Sequence, residues 1–152
     1  MSAFGVLTER KILDHAMGGT AWGQPAELYV ALFTSALVAD SLEQDPPVLT
    51  FEMDTAVGSY ARVATFAKFA TAASTDVGYV TTISNDSQID FTQATANWQD
   101  SSANTLIRYV ALMTTASGTG EVVFWGQLVA DKTIVSNDTF SFALGDLTIT
   151  LD

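Results

Sequence analysis

The chain has 152 residues, 48% of them hydrophobic and only 15% charged, which excludes disorder as the resting state and leaves room for one domain with a sizeable core. Seventeen Asp and Glu against six Lys and Arg give a net charge of −11, a balance that repels nucleic-acid phosphates and anionic membrane surfaces. The absence of cysteine removes disulfides, thiolate metal sites and thiol nucleophiles together, and no apolar run approaches the ~20 residues of a membrane span.

The first predicted element is a helix over 2–17. Phe4, Leu7, Lys11 and His15 recur at helical spacing, with Ile12, Leu13 and Met17 beside them. Ser2 and Thr8 are the candidate caps, and Gly18-Gly19 is the stop. Glu9, Arg10 and Lys11 interrupt any signal-peptide pattern. A helix with this much apolar surface is expected to dock on something.

Beyond Gly19 the helical period disappears, and Thr, Val, Ser, Tyr and Phe favour extended chain. Strands are expected near 27–35, 59–67, 77–83, 87–92, 105–115, 120–128, 132–136, 138–143 and 146–151. The turn signals between them are "DPP" at 45–47, "SND" at 84–86 and 136–138, and "SGTG" at 117–120. Many short strands with polar turns predict a mainly β fold: a single β-sandwich or flattened barrel of about 8–9 strands with the helix packed on it. The whole of 1–152 reads as one domain, with the sandwich over 27–151. An acid-rich stretch at 37–57, with Glu43, Asp45, Glu52 and Asp54, reads as a surface excursion.

One octapeptide appears nearly twice, "YVALFTSA" at 29–36 and "YVALMTTA" at 109–116. In each, alternate residues are apolar on both sides: Tyr29, Ala31 and Phe33 against Val30 and Leu32, and Tyr109, Ala111 and Met113 against Val110 and Leu112. A strand apolar on both faces belongs in mid-sheet, covered on each side. The two octapeptides are therefore expected to be neighbouring central strands, under the helix. A second echo pairs "SNDSQIDF" at 84–91 with "SNDTFSF" at 136–142. The two separations differ, so a tandem repeat does not account for them.

Candidate chemistry is sparse. His15 is the only histidine, no "GxSxG" elbow is present, and nothing Gly-rich resembles a phosphate loop. The Asx residues of "NDSQID" and "SND" could hold calcium, but turn chemistry explains them more simply. Paired carboxylates depend on spatial separation, which sequence does not give. Trp22, Trp98 and Trp125 could form a sugar platform or fill core and interfaces.

Six segments in order, "KILDHAMGGTAW", "LYVALFT", "GSYARV", "FTQATANW", "VVFWGQL" and "DTFSFALGDLTITLD", resemble a group of small stand-alone virion proteins of tailed bacteriophages, of tail, fibre-associated or structural type. The resemblance covers nearly the whole chain. It departs at Val57-Gly58, where the family often has Gly-Gly, and at "RYVALMTT", where a "GIFDA"-like strand is common. The resemblance implies a virion location and no catalytic residues; it leaves head or tail open.

The expectation is a non-enzymatic virion structural protein without cofactor or metal, a head decoration or cement subunit first. A tail or fibre-attachment protein is the alternative, and a carbohydrate-binding module for host glycans a further one. Its partners are expected to be capsid or tail proteins and copies of itself, with no nucleic acid and no membrane. Phe4, Leu7, Arg62, Phe124 and Trp125 are the candidate partner-binding residues. Arg62 is one of few cations and is expected to meet a carboxylate, and "FWG" puts Phe124 and Trp125 on opposite faces of one strand, so that one of them must be covered from outside the sandwich.

Overall fold

The computed structural model describes residues 2–23, 25–37, 41–65, 68–69, 73–74 and 81–151. In chain order the elements are β1 (Ser2–Phe4), α1 (Val6–Ala16), β2 (Tyr29–Thr34), β3 (Val63–Ala64), β4 (Ala73–Ser74), β5 (Thr81–Ser84), β6 (Ile89–Asp90), β7 (Ile107–Met113), β8 (Val122–Lys132), β9 (Ser141–Phe142) and β10 (Thr148–Leu151). They form a five-stranded sheet in the order β1-β8-β7-β2-β3, a three-stranded sheet β10-β5-β4, and a ribbon β6-β9. Every pairing is antiparallel. The mainly β, sandwich-like fold with one N-terminal helix is as the sequence predicts.

The echo now has an explanation. β2 and β7 pair with each other about Ala31 and Ala111, so that Val30 faces Leu112, Leu32 faces Val110 and Phe33 faces Tyr109. An antiparallel pair runs one segment against the reverse of the other. Similar octapeptides thereby place large residues beside large ones and the small Ala beside Ala at the centre, a local two-fold arrangement. The second echo behaves the same way: Ile89 faces Phe142, Asp90 faces Ser141, and the Phe91 N–H donates to the Phe140 carbonyl at 3.0 Å.

Both β2 and β7 lie inside the sheet, with their two faces in two separate cores. Val30, Leu32, Val110 and Leu112 join Met53, Tyr60, Ile89, Phe91, Trp98 and Phe142 in one core. Ala31, Phe33, Ala111 and Met113 join Leu37, Leu42, Val122 and Trp125 in the other.

The cover of the second face differs from expectation. It is the 37–57 segment, with Leu37, Leu42, Leu49 and Phe51, and not α1. The acids of this stretch draw attention from its few buried apolar residues; Leu42 is fully buried. Residues 51–53 also continue the sheet beyond β3. The Thr34 N–H donates to the Phe51 carbonyl and the Met53 N–H to the Leu32 carbonyl, both at 2.9 Å. Chain that pairs with β2 at its edge and carries Leu and Phe toward the sheet is structural, so the reading as a surface excursion is corrected.

Element boundaries shift elsewhere as well. Residues 2–4 leave the expected helix for β1, with Phe4 opposite Phe124. Gly5, not Ser2 or Thr8, is the N-cap of α1. The expected separate strand at 132–136 does not form, because β8 runs on to Lys132 with a bulge opposite Arg108. The strand expected at 59–67 shrinks to Val63–Ala64, and its residues 66 and 67, like residues 77–80 of the next expected strand, lie outside the described residues.

Candidate functional site

Arg62 is placed by an unusual turn. Gly58 has φ +68° and Ser59 φ +66°. A Cβ on Gly58 would sit 2.5 Å from the Ala96 carbonyl oxygen and 2.7 Å from Trp98 Cδ1. Only glycine fits there without displacement. The Gly58 carbonyl accepts the Trp98 indole N–H at 2.8 Å. "GSYAR" and "ATANW" are therefore two halves of one contact.

The turn sends Tyr60 inward, edge-on to Trp98 at 5.4 Å between ring centroids. The Tyr60 hydroxyl accepts the Leu32 N–H at 2.9 Å and donates to Glu52 at 3.3 Å. Burial first, and the neighbouring Glu52 carboxylate second, push this phenol well above its ordinary pKa. Arg62 follows two residues later with its side chain only 1% exposed. Its Nε and Nη2 donate to the two oxygens of Glu52 at 2.7 and 2.6 Å. Nη1 donates to the Thr115 carbonyl and hydroxyl at 2.9 and 3.0 Å, and Nη2 also to the Gly118 carbonyl at 2.9 Å. The guanidinium fork is satisfied within the chain. Arg62 does meet a carboxylate, as expected of it, and the carboxylate belongs to its own covering segment.

Phe124 and Trp125 do lie on opposite faces of β8. Phe124 packs on the first core and on Phe4, with ring centroids 4.5 Å apart. Trp125 is 6% exposed, in the second core, edge-on to Tyr109 at 6.1 Å. The cover that Trp125 needs comes from the 37–57 segment, within the same chain. Among the described residues its indole nitrogen meets no hydrogen-bond acceptor. Of the five partner-binding candidates, Leu7 is the one on the helix, half-buried beside Lys11 and Trp22.

The signal that residue types alone did not reveal is the orientation of α1. Its inward contact is polar. Buried Thr8 donates to Glu121 at 2.8 Å and to the Val122 carbonyl at 3.2 Å, and Lys11 pairs with the other Glu121 oxygen. Gly5 permits this close seat, since a Cβ there would lie 2.1 Å from the Val122 carbonyl oxygen. The opposite face carries Val6, Leu13 and Met17, which are 43%, 64% and 83% exposed. Spacings of seven and eleven residues put all three on one stripe. Glu9, Asp14 and Arg10 flank it, Arg10 in an exposed pair with Asp45 at 3.5 Å. The helix is thus amphipathic with its apolar stripe outward.

Other candidates have structural roles. Asn85 is buried, donating to the Ser87 and Ala143 carbonyls at 2.9 and 2.8 Å and accepting the Leu147 N–H at 2.9 Å. Asp138 accepts the Val135 N–H at 3.2 Å, in the turn where Asn137 takes φ +71°. His15 Nδ1 accepts the Trp22 N–H at 3.3 Å. Among the described residues no group of three or more His, Asp or Glu side chains gathers where a metal could be held.

No curated protein matches the chain in sequence. A family profile does, over residues 3–150, under the description podophage GP4 fiber I protein gp80. The match runs from β1 through β10, and so takes in the paired octapeptides, the Gly58–Trp98 contact, the Arg62–Glu52 clamp and α1 alike. With nearly the whole chain inside it, the protein belongs to this family of podophage fibre proteins, and its place is the virion.

Proposed function

We propose that the chain is a non-enzymatic fibre-type subunit that joins the phage particle through the outward stripe of α1. The observation that carries this is a helix whose polar side faces its own fold while Val6, Leu13 and Met17 face solvent. An exposed apolar stripe on a soluble fold favours a partner surface. Of the flanking charges Arg10 is paired with Asp45, which leaves Glu9 and Asp14 on a chain of net charge −11 to favour an apolar groove with a neutral or basic rim. A second copy would bring the same negative charge, so another virion protein fits the stripe better. Among the sequence candidates, Leu7 lies at its flank. Phe4 and Phe124 brace the start of the helix, and Arg62 and Trp125 act from within the fold.

The family description supports attachment as part of a fibre over decoration of the head. Among the described residues no gathered His, Asp and Glu side chains support an enzyme. The test has two parts. Particles lacking this protein are mixed with the purified wild type, and with the double variant Leu13→Ser, Met17→Ser. The wild type should bind and appear at a fibre position in particle images, and the double variant should not bind at all. Undiminished binding of the variant, or density over the head lattice, sinks this reading. Sedimentation of the free protein at micromolar concentration tests self-association, which should be unaffected by the same changes.

A further inference from the structure

We infer that the surface around Trp22 is a binding site for a neutral glycan. Of the three tryptophans, Trp98 is fully buried and Trp125 nearly so. Trp22 alone is half-buried, in the connection between α1 and β2. Two clefts meet at it. One, of about 340 Å³, has Arg10, Lys11, Asp14 and Thr20 on its wall. The other, of about 380 Å³, has Lys11, Glu27, Tyr29, Thr114 and Glu121. Each is within the range of a small-ligand pocket.

The polar groups of these clefts are held in place before any ligand arrives. Glu121 fixes Lys11 and is itself fixed by Thr8 at 2.8 Å. One Glu27 oxygen accepts the backbone N–H groups of Leu28 and Thr65 at 3.1 and 3.2 Å. The Trp22 backbone is tied to His15 at 3.3 Å. A pyranose presents an apolar C–H face and a rim of hydroxyls that both donate and accept. An indole meets the first, and fixed carboxylates, a hydroxyl and an ammonium meet the second. The lining charges nearly balance, Arg10 and Lys11 against Asp14, Glu27 and Glu121, on a chain of −11. Sialylated or phosphorylated sugars are therefore disfavoured, and uncharged hexose chains spanning both clefts are favoured.

The experiment uses the full chain, labelled with nitrogen-15, titrated with maltotetraose, cellotetraose and a β-1,4-galactotetraose, and with sialyllactose as the charged control. At least one neutral tetrasaccharide should shift the Trp22 indole resonance, identified by its loss in Trp22→Phe, and leave those of Trp98 and Trp125 in place. Trp22→Ala should weaken that binding by at least about tenfold, with an unchanged urea midpoint. Asp14→Ala, at an exposed position, should weaken it severalfold if the first cleft is occupied. No shift with any neutral probe at about 10 mM, a preference for sialyllactose, or undiminished binding by a folded Trp22→Ala overturns the assignment. Particle attachment should be untouched by Trp22→Ala, which separates this proposal from the one for α1.

Discussion

The two faces of the five-stranded sheet are both apolar and are covered by different chain. One face meets short strands and loops together, with Ile89 of β6, Phe142 of β9 and Ile149 of β10 packed beside Tyr60, Phe91 and Trp98. The other meets residues of the acid-rich 37–57 stretch, whose described residues hold almost no regular structure. Strands hold their own backbone polar groups in ladders; an irregular cover needs other anchors. Here the anchors are the 51–53 bonds to β2 and the buried clamp of Arg62 on Glu52. The lesson is that a short stretch of ladder and one buried ion pair can together seat an otherwise irregular cover.

That comparison breaks first at the clamp. Arg62→Ala leaves Glu52 facing a low-dielectric seam without its cation, and should cost about 3–5 kcal/mol in urea unfolding. Replacing both members by Met should recover much of that loss, because no uncompensated charge is left. A loss below about 1 kcal/mol for the single change would mean that the second cover is held by its apolar contacts alone.

The next test sets the two faces against each other. Leu32 and Leu42 are both fully buried, one in each core. Leu32→Ala and Leu42→Ala should each cost about 2–5 kcal/mol. A large cost for Leu32 and a small one for Leu42 would demote the 37–57 segment to a loose flap.

Asp100 sits at the seam, accepting Thr34 Oγ1 at 2.8 Å, the N–H groups of Ser102 and Asn104 at 2.9 and 3.0 Å, and the Asn104 amide at 2.8 Å. Burial works to raise its pKa, yet these hydrogen bonds outweigh burial and hold the carboxyl below its ordinary 3.8. A depressed folded-state pKa gives stability that is present above the unfolded value and lost as pH falls through the folded one. Asp100→Asn should cost about 1–3 kcal/mol near neutral pH. The gap from wild type should begin to close only below the ordinary carboxylate pKa of 3.8. A gap independent of pH down to about pH 2.5 would show that shape, not charge, matters there.

The smallest effect on folding belongs to the outward stripe. Leu13→Ser should change stability by no more than about 0.5 kcal/mol, because Leu13 is 64% exposed on the outward side of the helix. A larger loss would place the helix face inside the fold and remove it as a partner surface.

Sequence by itself determined the class of fold, the two-faced central strands and their being neighbours. The alternation in "YVALF" and "YVALM" has a period of two, and that period dictates which residues share a face wherever the strand lies. It also determined that Arg62 meets a carboxylate, since an acidic chain offers many partners to a rare cation. Only the tertiary structure decided which carboxylate, because Glu52 is close in sequence but is brought to Arg62 by the sheet edge between them. It alone decided that the acid-rich segment covers the second face. Leu37, Leu42, Leu49 and Phe51 are spaced too irregularly for any period to be read, and what gathers them is the one apolar core they share with Ala31, Phe33, Met113 and Trp125. It alone turned the helix outward. An apolar stripe looks the same in sequence whether it faces a core or a partner, and what settled its direction was the hydrogen bonding of Thr8 and Lys11 to Glu121 on β8's approach, a contact 110 residues and more away along the chain.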